Sequence, residues 1–69
     1  MQAERIIEQN IEMFSKTFTK KDTLSFQAKH TILGMIQMAI HLEAMTFADA
    51  EKHIDAVFDV YGSLCKKNI

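Results

Sequence analysis

Four residues of this chain could bind a metal ion or act as nucleophiles, three histidines and one cysteine: His30, His41, His53 and Cys65. Imidazole nitrogens and a thiolate are the usual zinc ligands. On a helix, however, the eleven residues from His30 to His41 rise roughly 16 Å, which is too far for one shared ion. We expect His53 to pair with Asp49 one turn before it, and Cys65 to be an inert thiol on an apolar helix face. The sequence therefore predicts no metal site and no cofactor site.

Carboxylates recur every four residues in two parts of the chain: Glu4, Glu8 and Glu12, and then Glu51, Asp55 and Asp59. This spacing aligns each set along one face of a helix. The second set, here called the acidic ridge, could face a basic surface of a partner protein. The more common explanation of such a row is a solvated helix face, because exposed carboxylates need no partner. Both interpretations of the acidic ridge stay open.

The composition excludes several classes of protein. Eight Lys and Arg against nine Asp and Glu give a net charge of -1, so neither a strongly basic nucleic-acid binder nor an acidic DNA mimic is expected. A hydrophobic content of 48% excludes a disordered tail. No nucleophile elbow, phosphate-binding glycine loop or Cys-x-x-Cys pair occurs, and we expect no enzyme. One cysteine, an amphipathic beginning in place of an apolar leader, and no membrane-length apolar run predict a cytoplasmic protein without membrane contact.

The periodicity of apolar residues predicts an all-α fold. The chain contains no proline and two glycines, and no segment alternates as a strand does. We predict one domain over residues 1–69, a compact three-helix bundle with helices at about 2–18, 23–44 and 46–61 and a tail at 62–69. Asp22 or Thr19 would cap the second helix, and Thr46 the third, with Asp49 reaching back to it. Gly62 would end the third helix in the left-handed conformation.

The apolar positions of these helices predict the core. The apolar stripe of the first helix consists of Ala3, Ile7, Ile11, Phe14 and Phe18, and Ile6 and Met13 widen it. Asn10 lies inside the same arc, either fixing the register of a helix seam or bonding to a nearby backbone group. The second helix is apolar over half its circumference, which makes it the central helix. Its predicted core positions are Leu24, Ala28, Ile32, Leu33, Met35, Ile36, Ala39 and Ile40. Those of the third helix are Phe47, Ala50, Ile54, Val57, Phe58 and Tyr61.

The second helix also carries an uncharged polar face, here called the neutral stripe: Gln27, His30, Gly34, Gln37, Met38 and His41. An exposed face usually carries Lys and Glu, and a glycine inside a helix costs about 1 kcal/mol relative to alanine unless a close approach compensates. A chain of this size also has a marginal core. We therefore predict a homodimer through the neutral stripe, in which antiparallel pairing places His30 opposite His41 of the second copy. The alternative is a merely polar exposed face.

These features favour a small non-enzymatic protein–protein interaction module, an adaptor, inhibitor or regulator of a larger protein. The alternative is a small helical nucleic-acid-binding transcriptional regulator, since compact three-helix domains often contain a helix-turn-helix. Lysines around the first loop favour that alternative. The acidic residues of the third helix oppose it, because they would face phosphates.

Overall fold

Three α-helices of similar length pack into a bundle in the computed structural model, which describes residues 2–64. The helices are α1 (Gln2–Thr17), α2 (Thr23–His41) and α3 (Phe47–Leu64). Each helix packs against both others, and no strand occurs in the described range. The predicted all-α three-helix bundle is confirmed.

The core is built from one face of each helix and one residue of the second connection. Ile36 of α2 and Val57 of α3 are almost completely buried, and Phe14 of α1 packs edge-on against Phe18 with ring centroids 5.4 Å apart. Met45 reaches the same core from the connection between α2 and α3. The buried apolar residues are Ile7, Phe14, Ile32, Ile36, Ala39, Met45, Ala50, Val57 and Leu64.

The start of α2 is fixed by a reciprocal cap. The backbone N–H of Ser25 donates to the Asp22 carboxylate over 2.8 Å, and the backbone N–H of Asp22 donates to the Ser25 hydroxyl over 2.8 Å. The hydrogen bond from the Ser25 backbone is the main reason that the pKa of Asp22 lies below its usual value. Asp22 as the cap was predicted. Ser25 as its fully buried partner was not, since the usual reciprocal residue is Glu or Gln.

The end of α2 corrects a predicted boundary, because the helix stops at His41 and not at residue 44. Glu43 adopts a left-handed φ of 57°. The N–H of Glu43 then donates to the carbonyl of Ile40 over 3.0 Å, and that of Ala44 to the carbonyl of Ala39 over 2.8 Å. This double closure satisfies carbonyls that the last turn leaves open. It also reverses the chain soon enough for Met45 to enter the core.

The bounds of α3 differ from the prediction at its far end. The predicted Thr46 cap is confirmed, since its hydroxyl accepts from the backbone N–H of Asp49 over 3.2 Å. In the described part of the chain Asp49 makes no return bond to Thr46. The helix continues to Leu64, and Gly62 lies inside it without a left-handed φ. The extra turn is held because Leu64 is buried two turns beyond Val57. Cys65 and the rest of the predicted tail lie outside the described residues.

Three predicted core positions of α2 and α3 are exposed instead. Leu24, Phe47 and Phe58 keep 64%, 78% and 49% of their surface accessible. Leu24 and Phe47 stand in the first turns of their helices, and close neighbours of each, Ser25 and Ala50, are the residues buried there instead. Periodicity fixes the direction of a side chain on its helix, but not how far the neighbouring helices extend.

Candidate interaction surface

The six residues of the neutral stripe are all exposed on the outer side of α2. The formal charge of α2 comes from Lys29 alone, on the side that turns toward α3. A Cβ atom added at Gly34 would meet no atom within 4 Å. The bundle itself therefore gives no reason for a glycine at this position.

Because that space is open, Gly34→Ala is expected to raise the free energy of unfolding by about 1 kcal/mol. Chemical denaturation at a protein concentration low enough to keep the chain monomeric measures this directly. Gly62→Ala is the matched comparison, since its Cβ also meets nothing, and a smaller gain is expected in the last turn of a helix. A loss of stability in Gly34→Ala would show that the fold requires the glycine.

An apolar groove between α1 and α2 lies beside the neutral stripe. At one end is a depression of about 260 Å³, where Ile6 faces Met38 and Leu42. Toward the other end a second depression of about 320 Å³ contains Met13 opposite Thr31. Neither depression has a charged side chain in its lining. Four large side chains of this groove are roughly half to two-thirds exposed: Ile6, Met13, Met38 and Leu42.

Two polar side chains of the groove, those of Asn10 and Thr31, donate hydrogen bonds within their own helices. The Asn10 amide donates to the carbonyl of Ile6 over 2.8 Å, and the Thr31 hydroxyl to the carbonyl of Gln27 over 2.9 Å. Of the two interpretations of Asn10, the bond to a nearby backbone group is therefore observed. Covering polar groups that are already bonded costs less than covering free ones. The α1/α2 groove can thus be covered at a small desolvation cost.

A second exposed cluster lies between α2 and α3. The Lys29 ammonium stands 4.4 Å from the ring centroid of Tyr61, 4.6 Å from that of Phe26 and 5.6 Å from that of Phe58. His30 packs edge-on against Phe26, with ring centroids 4.4 Å apart. The cluster joins one member of the neutral stripe to aromatic residues of α3. It places the charge of α2 against ring faces and away from the stripe.

The carboxylates separate into two roles. Glu51, Asp55 and Asp59 are all exposed on α3, so the acidic ridge exists as a surface. Glu4, by contrast, faces α3, and its carboxylate lies 3.1 Å from Nε2 of His53. The prediction that His53 pairs with Asp49 is wrong. The His53 side chain is only 12% exposed because it points into the α1/α3 seam and not along the surface of its own helix.

Within residues 2–64, no three His, Cys, Asp or Glu side chains come together in a way that could hold a metal ion. In the same range no helix has the length and apolar character needed to cross a membrane. The chemical features of the described surface are therefore its apolar groove, its neutral stripe, its aromatic cluster and its acidic ridge.

Sequence reasoning identified the neutral stripe but missed the α1/α2 groove beside it. The signal was present in α1, where Ile6 and Met13 widen the apolar arc beyond what two neighbouring helices cover. That excess was assigned to the core. Only the packing of α1 against α2 shows that both side chains remain outside it.

Comparison with known proteins gives no assignment. No protein-family model, curated protein or solved structure matches this chain.

Proposed function

We propose that this protein is a small non-enzymatic protein–protein interaction module, an adaptor, inhibitor or regulator, that acts through the exposed side of α2. The observation that carries the proposal is the uncharged surface formed by the neutral stripe and the α1/α2 groove. A cytoplasmic setting is part of the proposal, since one cysteine provides no internal disulfide.

The energetic argument rests on the four large side chains of the groove. Covering the exposed half of a Met, Leu or Ile side chain contributes on the order of 1 kcal/mol. A symmetric dimer covers the set twice and so gains on the order of 10 kcal/mol, which is comparable to the 4–15 kcal/mol estimated as the cost of association. Covering the groove thus offsets the cost of association without a clear surplus, and we propose a homodimer in which contacts of the neutral stripe of α2 add the remainder.

The acidic ridge borders the aromatic cluster and faces solvent on α3. In a homodimer through α2 it remains accessible, and we propose it as the surface available to a basic partner protein. A solvated face without a partner remains the alternative for Glu51, Asp55 and Asp59.

Nucleic-acid binding is the second candidate. It is favoured by the aromatic rings around Lys29 and by Lys21, whose ammonium also stands over the Tyr61 ring. Single-stranded nucleic acid binds such clusters by stacking bases on ring faces. Here the Lys29 ammonium already stands over the faces of Phe26 and Tyr61, and the neighbouring acidic ridge would repel phosphates. An electrophoretic shift of duplex or single-stranded DNA that weakens steeply with salt would support this candidate against our proposal.

Light scattering coupled to size exclusion tests the proposed function. We expect the unaltered chain to be a dimer, and Gly34→Glu to raise the dissociation constant at least about tenfold, because a charge enters the uncharged surface. Ala48→Glu is the matched control, since it adds the same charge at an exposed small residue of α3, and it should leave the dimer intact. Circular dichroism verifies that each variant is folded.

A chain that stays monomeric at millimolar concentration would refute self-association. A dimer that Gly34→Glu leaves unchanged would remove the neutral stripe as its cause.

A further inference from the structure

We infer that the second copy packs across the α1/α2 groove, with α1 contributing as much as α2, around a two-fold axis that passes beside Asn10. The inference rests on the proposed self-association and assigns its interface. The dimer contact then includes the α1/α2 groove as well as the neutral stripe of α2. Met38 belongs to both of these surfaces.

The position of the axis follows from which residues of α1 and α2 lie level with each other. Ile6 shares a depression with Met38 and Leu42, and Met13 shares one with Thr31. Asn10 lies about midway between Ile6 and Met13, and is therefore level with the middle of α2. The same level is the centre between Gly34 and Gln37 that places His30 opposite His41 of the second copy. The α1 and α2 surfaces thus share one axis.

A two-fold axis at this level, perpendicular to the helices, places the apolar groove of one copy against the apolar groove of the other. It turns each helix antiparallel to its own copy, so that Ile6 of one copy comes over the region of Met13 of the other. The Leu42 end of α2 correspondingly comes over the Thr31 half. Two pairs of helices then form a four-helix layer, in which side chains of facing helices interdigitate. Each depression is filled by side chains from the opposite end of the partner's groove.

Asn10 has the hydrogen-bonding capacity that such an axis requires. One amide hydrogen is used in the bond to Ile6, which leaves the second hydrogen and the carbonyl oxygen for a partner. Two Asn10 side chains related by the axis can donate to and accept from each other. A single polar residue at an apolar helix seam fixes the register of pairing at a cost in stability. This is the other role that the sequence allowed for Asn10, and it is compatible with the observed bond.

The charges favour a second copy over an unrelated protein. The linings of both depressions are uncharged, so the groove has no side chain that would select a charged partner. A partner of matching chemistry must present an equally uncharged, Met-rich face of about the same length. The α1/α2 groove is itself such a face, and its two halves are alike enough to exchange places under a two-fold rotation.

Sedimentation velocity of matched variants tests the inference. Met13→Glu places a charge in the groove on α1, and we expect the dissociation constant to rise at least about 100-fold, because the dimer would bury two unpaired carboxylates. Phe47→Glu is the matched control: Phe47 is more exposed than Met13, at 78% against 64%, but it lines neither depression of the α1/α2 groove. The control should leave the dimer unchanged.

Disulfide trapping tests the axis. In a Cys65→Ser background, Asn10→Cys should form a covalent dimer under mild oxidation with diamide, because the two thiols face each other. Ser15→Cys is the control, an exposed position of α1 away from both depression linings, and it should remain largely monomeric on a non-reducing gel.

The outcomes separate the two proposals. A dimer that Gly34→Glu dissociates but Met13→Glu does not would overturn this inference and leave the proposed function standing. A dimer that Met13→Glu dissociates, but in which Asn10→Cys cross-links no better than Ser15→Cys, would overturn the axis. A monomeric chain would overturn both.

Discussion

An Ile36→Asp chain is expected to be unfolded at 25 °C. Ile36 is 1% exposed at the centre of α2, where all three helices meet. Ile36 belongs to the apolar core cluster, so the carboxylate of Asp would either stay charged at a high desolvation cost or bind a proton with a raised pKa. Together with the lost apolar contacts, the substitution should lower the free energy of unfolding by at least about 4 kcal/mol, which is comparable to the whole stability of a small domain.

Circular dichroism during thermal and urea unfolding measures this effect. Ser15→Asp, at an exposed position of α1 outside both depressions of the groove and outside the neutral stripe, is the control for helix propensity and added charge, and a change within about 0.5 kcal/mol is expected. An Ile36→Asp chain that melts like the unaltered protein would show that the three helices do not enclose Ile36.

The second large effect is expected from Phe14→Ala. Phe14 is the largest fully buried side chain, at 2% exposure, and its ring packs against Phe18. Its removal leaves a cavity beneath the α1/α2 groove and should cost about 3–5 kcal/mol. Urea denaturation with a global fit of the transition provides the value.

The neighbouring residue supplies the comparison for this prediction. Met13→Ala removes a side chain that is 64% exposed and should change the stability of the monomer by less than about 0.5 kcal/mol. If the two variants were equally destabilised, the burial of Phe14 would not be the source of its effect. If association occurs as proposed, Met13→Ala weakens the dimer while the monomer stays stable.

The local rules of helix formation were sufficient for the elements and most of their starts. Apolar spacing identified three helices, and the cap positions Asp22 and Thr46 were both visible in the sequence, because a cap depends on residues within one turn of it. The ends were harder to predict. Gly62 was expected to adopt a left-handed conformation, yet Glu43 does so instead. Burying Met45 and Leu64 decides both ends, and those two contacts are made with other helices.

The candidate interaction surface divides in the same way. The neutral stripe is a property of one helix, and its exposure was predictable from the position of charges and apolar residues on α2. The α1/α2 groove is a property of two helices. Whether Ile6 and Met13 belong to the core or to the surface depends on how closely α2 approaches α1. The spacing of residues within α1 does not determine that interhelical distance.

His53 shows the same limit for a polar residue. On its own helix the nearest carboxylate in register is Asp49, and no pattern in the sequence points to a carboxylate on another helix. The structure brings Glu4, forty-nine positions earlier, to 3.1 Å from the imidazole. The crossing of α1 and α3 selects this partner, and the selection leaves Glu4 out of the row that it forms with Glu8 and Glu12 in the sequence.

The sequence by itself determined that this protein is helical, that it has three helices, that Asp22 and Thr46 cap the second and third, and that the outer side of α2 is uncharged. Each of these depends on residues within a few turns of each other. The tertiary structure alone decided where α2 and α3 end, which carboxylate faces His53, and that Ile6, Met13, Met38 and Leu42 line depressions between α1 and α2. Those features depend on distances between helices, which are set by the packing of Phe14, Ile36 and Val57 in the shared core.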